Sequence, residues 1–176
     1  RRSAERAQAR FEGIRRMNLP IRDTGRRGEC DARIGRFCHW NSSDDTIVAP
    51  DSRTVIRARA ALLASLEDAA RRSPRDGWII GQRVRYLLET GDDSTAVIVA
   101  QECRATAWWC DALRGLVLHE AAAGEAADSA FARALRTMPD SERCRWTDMT
   151  PLLEPEHSRR FGRIGCGKNE RVARHL

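Results

Sequence analysis

At 176 residues, with 41% hydrophobic and 32% charged residues, the chain is the size of one ordinary domain and can bury its own core. That balance fits a soluble globular protein rather than a disordered or membrane one. No apolar run approaches the ~20 residues of a membrane span; the strongest candidate, Trp78 to Leu88, is interrupted by Arg83 and Arg85.

The basic charge is almost all arginine, and Lys168 is the only lysine. Arginine is the better phosphate fork, which raises a nucleic-acid reading. Against it, the arginines are interleaved with Asp and Glu, as in "LEDAARRSPRD", and form no block or stripe. A start at Arg1 is what removal of a signal peptide leaves, and equally what trimming leaves.

The first predicted element is a helix over residues 3–18, with Ser3 as its cap and Ala4, Ala7, Phe11 and Ile14 at helical spacing; Pro20 stops it. Residues 20–52 are rich in Gly, Asp, Asn and Ser and show no period. A loop of that length needs tying down, and Cys30 and Cys38 are placed to do it. From Asp51 the helical pattern returns. Val55, Ala58, Leu62, Leu66 and Ala69 form a stripe closed by Pro74. Ile80, Val84, Leu87 and Leu88 form a second, stopped at Gly91. A short helix from Ser94 to about residue 105 follows. Next come "WWCDALRGLVLHEAAAG", with Trp109, Ala112, Leu113, Leu116 and Val117 on one face, and "EAADSAFARALRTMP", with Phe131 and Leu135 inward and Pro139 as terminator.

These helices repeat in pairs. A shift of 31 residues lays Trp78 on Trp109, Leu87 on Leu118, Ala96 on Ala127 and Cys103 on Ala134. A fixed-period helix pair is the signature of an α-solenoid, because one hairpin cannot bury its apolar face alone. Gly115, Leu118, Ala127, Phe131, Ala134 and Pro139 then resemble the small–large–small pattern of a tetratricopeptide repeat. Leu62, Leu66, Ala69 and Pro74 resemble the second half of an earlier repeat, and Gly91 and Ala96 the turn and second helix of the middle one. The chain departs from the pattern in its 31-residue period, where roughly 34 is usual, in Asp111 and Arg114 at positions normally apolar, and in Ala100 where an aromatic belongs. The resemblance, over about residues 53–140, implies partner binding in a groove, without catalysis.

Six cysteines fall as Cys30/Cys38, Cys103/Cys110 and Cys144/Cys166, an even count that suggests disulfides. Cys103 ends one predicted helix and Cys110 begins the next, so a tight turn can bring them within bridging distance. Cys30–Cys38 would close the long loop and Cys144–Cys166 would tie the tail back. Disulfides persist in oxidising compartments, which predicts an extracytoplasmic protein: periplasmic, cell-surface or secreted. A structural zinc site is disfavoured, since the intervals of seven and eight do not match its close cysteine spacing. Free buried thiols remain open, because Cys103 aligns with Ala134 and suits a small core slot.

Two motifs mislead. "GRIGCGKN" (Gly162 to Asn169) lacks the Ser or Thr that follows the lysine of a phosphate-binding loop. "HEAAA" (His119 to Ala123) lacks the second histidine of a zinc protease. Cys38 beside His39 is the only thiol–imidazole neighbour in the sequence.

The sequence thus predicts an all-α, tetratricopeptide-like helix-hairpin solenoid with an N-terminal helix and a long disulfide-tied loop. It divides as 1–52, 53–140 and 141–176. The expected function is non-catalytic binding of another protein or an acidic peptide. Arg83, Arg85, Tyr86, Trp108 and Arg114 are the predicted contact residues, and no cofactor or metal is expected. The alternatives are a structural subunit that self-associates into a larger assembly and an arginine-rich nucleic-acid binder.

Overall fold

The computed structural model describes residues 1–18, 32–34, 37–39 and 51–162. The described residues are helical apart from one short two-stranded ribbon. They gather into two compact units, one of residues 1–20 with 50–138, the other of residues 21–49 with 139–176.

The first unit holds six helices: α1 (Arg2–Met17), α2 (Arg53–Arg72), α3 (Gly77–Leu88), α4 (Asp93–Gln101), α5 (Ala107–Glu120) and α6 (Gly124–Thr137). Three begin on side-chain caps that satisfy otherwise unpaired backbone N–H groups. Ser52 accepts from Val55 N, Asp76 from Trp78 N and Ile79 N, and Asp92 from Thr95 N. Ser3 is not a cap: α1 begins at Arg2, and Arg1 precedes it without a side-chain cap bond.

Each helix packs on the next in sequence, and α3 also packs on α5. Helix α3 therefore serves two cores. Ile79 and Tyr86 join Phe11, Leu62 and Leu66 on one side. Ile80, Val84 and Leu87 join Val99, Leu113 and Val117 on the other. A helix buried on two sides must be apolar over most of its girth, which fits the run of apolar residues from Trp78 to Leu88, broken only by Gln82, Arg83 and Arg85 among its longer side chains.

The 31-residue period is present in the backbone. Asp92 N donates to Leu87 O at 3.1 Å, and 31 residues on Ala123 N donates to Leu118 O at 2.9 Å. Gly91 N to Leu88 O recurs as Ala122 N to His119 O. Gly91 has φ +74° and Ala122 φ +56°, so the same left-handed turn is kept even where the glycine is gone.

The second unit contains β1 (Ala32–Ile34), β2 (Phe37–His39), α7 (Asp140–Trp146), a 3₁₀ turn (Thr150–Leu152) and α8 (Pro155–Gly162). The strands pair antiparallel, with Ala32 opposite His39 and Ile34 opposite Phe37. This ribbon corrects the reading of residues 20–52 as wholly irregular. Three-residue strands are too short to show an alternating pattern.

Candidate functional site

Helices α4 and α5 are joined by the Cys103–Cys110 disulfide, with a Cα–Cα distance of 5.5 Å. Closing so short a loop restricts the unfolded chain by about 2.5 kcal/mol in the chain-entropy account. The expected staple at "CRATAWWC" is therefore formed, and no described cysteine is free. Cys144 is also disulfide-bonded. In the expected Cys30–Cys38 and Cys144–Cys166 pairings, Cys30 and Cys166 lie outside the described residues.

One residue before Cys110, Trp109 lies across α3. A Cβ placed on Gly77 would meet its ring at 2.9 Å, and one placed on Gly81 at 2.8 Å. The two glycines, one turn apart, form a trough that any side chain would fill. The indole N–H donates to Gly77 O at 2.6 Å, and Trp108 stands edge-on to Trp109 with centroids 5.4 Å apart. The disulfide and the indole together fix the turn that carries Arg104.

That turn forms one wall of an open groove of about 340 Å³ between α2, α3 and α4. Its apolar lining includes Ile80, Val99 and Ile98, the last 52% exposed. Arg71, Arg83 and Arg104 stand around it, with Glu67 and Glu102. Arg71 is held by Glu67 at 3.1 Å and Asp68 at 3.3 Å. Arg83 and Arg104 make no ion pair with any described residue. Arg104 also borders, with Arg75 and Thr106, a shallower depression of about 500 Å³. The cationic surface thus continues past the end of the groove.

Of the five predicted contact residues, only Arg83 lines this groove. Arg85 turns toward α1, bonded to Glu89 at 3.1 Å and 3.6 Å from Glu12. Arg114 bonds Asp111 at 3.2 Å and the Gln101 carbonyl at 3.3 Å, tying α5 to the end of α4. Trp108 is half-buried against Trp109. Tyr86 is a correction: it is 0% exposed and packs edge-on against Phe11, so it presents nothing to a partner. At 100° per residue, residues 83 and 85 fall on opposite sides of the helix.

The sequence reading missed a polar seam along α1. Tyr86 donates its hydroxyl proton to Glu12 at 2.7 Å and accepts from Gln8 at 3.1 Å, while Gln8 also donates to Gln82 at 2.7 Å. Arg59, 7% exposed, bonds Asp51 at 2.5 Å, lies 3.8 Å from Glu89 and covers the Phe11 ring at 5.5 Å. Its Nε is buried without a hydrogen-bond partner. A signal existed: Arg59 falls four residues after Val55 and three before Leu62, on the buried stripe itself.

Burial and the hydrogen bond to Glu12 push the Tyr86 phenol above its ordinary value near 10. Because the folded value is raised, the neutral phenol's contribution is complete below the unfolded value and is lost as pH rises through the folded one. Tyr86 is the only tyrosine, so the rise in absorbance at 295 nm with pH, over the constant background of the five tryptophans, reads it alone. We expect its ionisation to fall above pH 10, coincident with loss of helical circular dichroism. A normal titration in a chain still folded would show the seam to be open.

Among the described residues no three His, Cys, Asp or Glu side chains cluster so as to hold a metal ion, and no helix is long and apolar enough to cross a membrane. His119 is exposed in the last turn of α5. Residues 163–169 of the phosphate-loop look-alike lie outside the described residues. No family model matches the chain, nor does any curated protein or solved structure.

Proposed function

We propose that the protein is a non-catalytic binding module that seats an acidic, extended segment of another protein in the groove between α2, α3 and α4. One observation carries the reading: Arg83 and Arg104, both without a carboxylate partner among the described residues, flank an apolar lining with Ile98 exposed. Two unmatched guanidiniums beside exposed aliphatic surface suit a partner that alternates carboxylates with apolar side chains. The depression bordered by Arg75 and Arg104 extends the cationic track, which favours an extended ligand.

The helix pairs that build the groove are read as tetratricopeptide-like. The reading is supported by the 31-residue recurrence of the turns and by the contact of Gly115 with Phe131 between α5 and α6. An extracytoplasmic location is supported by the Cys103–Cys110 bridge and the disulfide at Cys144.

Selection of a random linear-peptide display library on the whole protein tests this. Enriched peptides should place Asp or Glu around an apolar residue. Their affinity should fall about tenfold or more in Arg83→Glu and Arg104→Glu, while the charge-matched Arg136→Glu on α6 leaves it unchanged. Peptides that bind all three variants equally would sink the assignment.

A further inference from the structure

A second groove lies between α1 and α2, and its lining differs from that of the first. The helices run antiparallel, since Ser52 at the start of α2 donates to Asn18 at the end of α1 at 3.1 Å. Between them opens a groove of about 480 Å³. Buried Phe11 and Leu62 form its floor, with Ile14 beside them. Small residues (Ala7, Ala58, Ala61 and Ser65) form much of its walls. The charged residues that line it are Arg6 and Arg10, one turn apart on α1, and no carboxylate does. Both arginines are exposed, and neither makes an ion pair with a described residue.

We infer that this groove docks an acidic amphipathic helix of a partner protein. The lining runs from Arg6 to Ile14 on α1 and from Ala58 to Ser65 on α2, about two helical turns, or roughly 12 Å. That length takes the apolar residues of one helix face at positions i, i+3, i+4 and i+7. Alanine and serine walls let a third helix axis approach closely, as larger side chains would not. The unmatched Arg6 and Arg10 select for carboxylates flanking the apolar stripe and against a basic helix. The Phe11 and Leu62 floor is continuous with the core of the first unit, so the docked helix would extend that core by one layer. This site shares no lining residue with the groove of Arg83, and either assignment stands if the other fails.

The test is a displayed library of helical peptides randomised on one face, selected on the whole protein. Binders are then ranked by fluorescence anisotropy against Arg6→Glu/Arg10→Glu and Ala61→Glu, with far-UV circular dichroism to verify folding. All three positions are exposed, so folding should be retained. Enriched helices should carry Leu or Met at i, i+3, i+4 and i+7 with Asp or Glu alongside. The double variant should weaken them about tenfold or more, and substituting Lys for their acidic residues should restore binding to that variant. Ala61→Glu, which leaves the arginines in place, should also weaken them.

Four results would overturn the inference. They are no enrichment, enrichment of basic or uncharged helices, binders indifferent to Ala61→Glu, or binders that respond to Arg83→Glu instead. Oleate binding abolished by the double variant, with no helix selected, would assign the groove to an acyl chain.

Discussion

Trp109→Ala is expected to destabilise the helical unit by about 3 kcal/mol, read from chemical denaturation followed by far-UV circular dichroism. The indole fills the trough left by Gly77 and Gly81, and its ring atoms are the nearest to both positions. Alanine would leave that trough empty, and two glycines cannot close it because they have no side chains to move. Trp109→Phe separates packing from hydrogen bonding. It keeps a ring in the trough but loses the N–H donated to Gly77 O, so it should cost only about 1 kcal/mol. The Cys103–Cys110 bridge constrains the turn just before Trp109, so the alanine variant should also lose register at Arg104 and bind acidic peptides more weakly. If Trp109→Ala were as stable as the parent within ~0.5 kcal/mol, the disulfide alone would be holding α5 against α3.

The helices of the first unit were legible because their signals are local. Pro74 and Gly91 fall in turns, and the apolar stripes hold a helical period between them, whereas the caps Ser52, Asp76 and Asp92 emerged only from the structure and the expected cap Ser3 is not one. The groove was only partly legible because its residues come from three elements. Arg71 sits late in α2, Arg83 in α3 and Arg104 in the disulfide turn, and nothing in their spacing joins them. Arg85 was named with Arg83 because each interrupts an apolar helix, yet two residues apart on a helix they fall on opposite sides, and Tyr86 was lost to burial against Phe11. Arg59 was missed because an arginine is read as solvated until its partners are known. Those partners, Asp51 and Glu89, lie on either side of it in the chain and meet it only in the folded unit.

Gly115→Val should cost about 3 kcal/mol, and Gly115→Ala about 1–2 kcal/mol despite alanine's better helix propensity. A Cβ at residue 115 would meet three atoms of the Phe131 ring at 2.7, 2.7 and 2.9 Å, including Cγ at the root of the ring, which a simple ring tilt cannot clear. The discriminating experiment is a double-mutant cycle. With Phe131 already replaced by alanine, Gly115→Ala should reverse sign and stabilise by up to about 1 kcal/mol, because only the helix-propensity term remains. The repeat one period earlier makes the same trade in the opposite sense. Val84 and Ala100 occupy the positions 31 residues before Gly115 and Phe131, and both are fully buried in one cluster. Ala100 thus departs from the aromatic of the tetratricopeptide pattern, but Val84 supplies from α3 the volume that Ala100 lacks on α4. It follows that Ala100→Phe alone should be destabilising in the way Gly115→Val is, and Val84→Gly should relieve it. If Ala100→Phe were tolerated with Val84 in place, the two helix pairs would not be equivalent, and the 31-residue correspondence would stop at the turns.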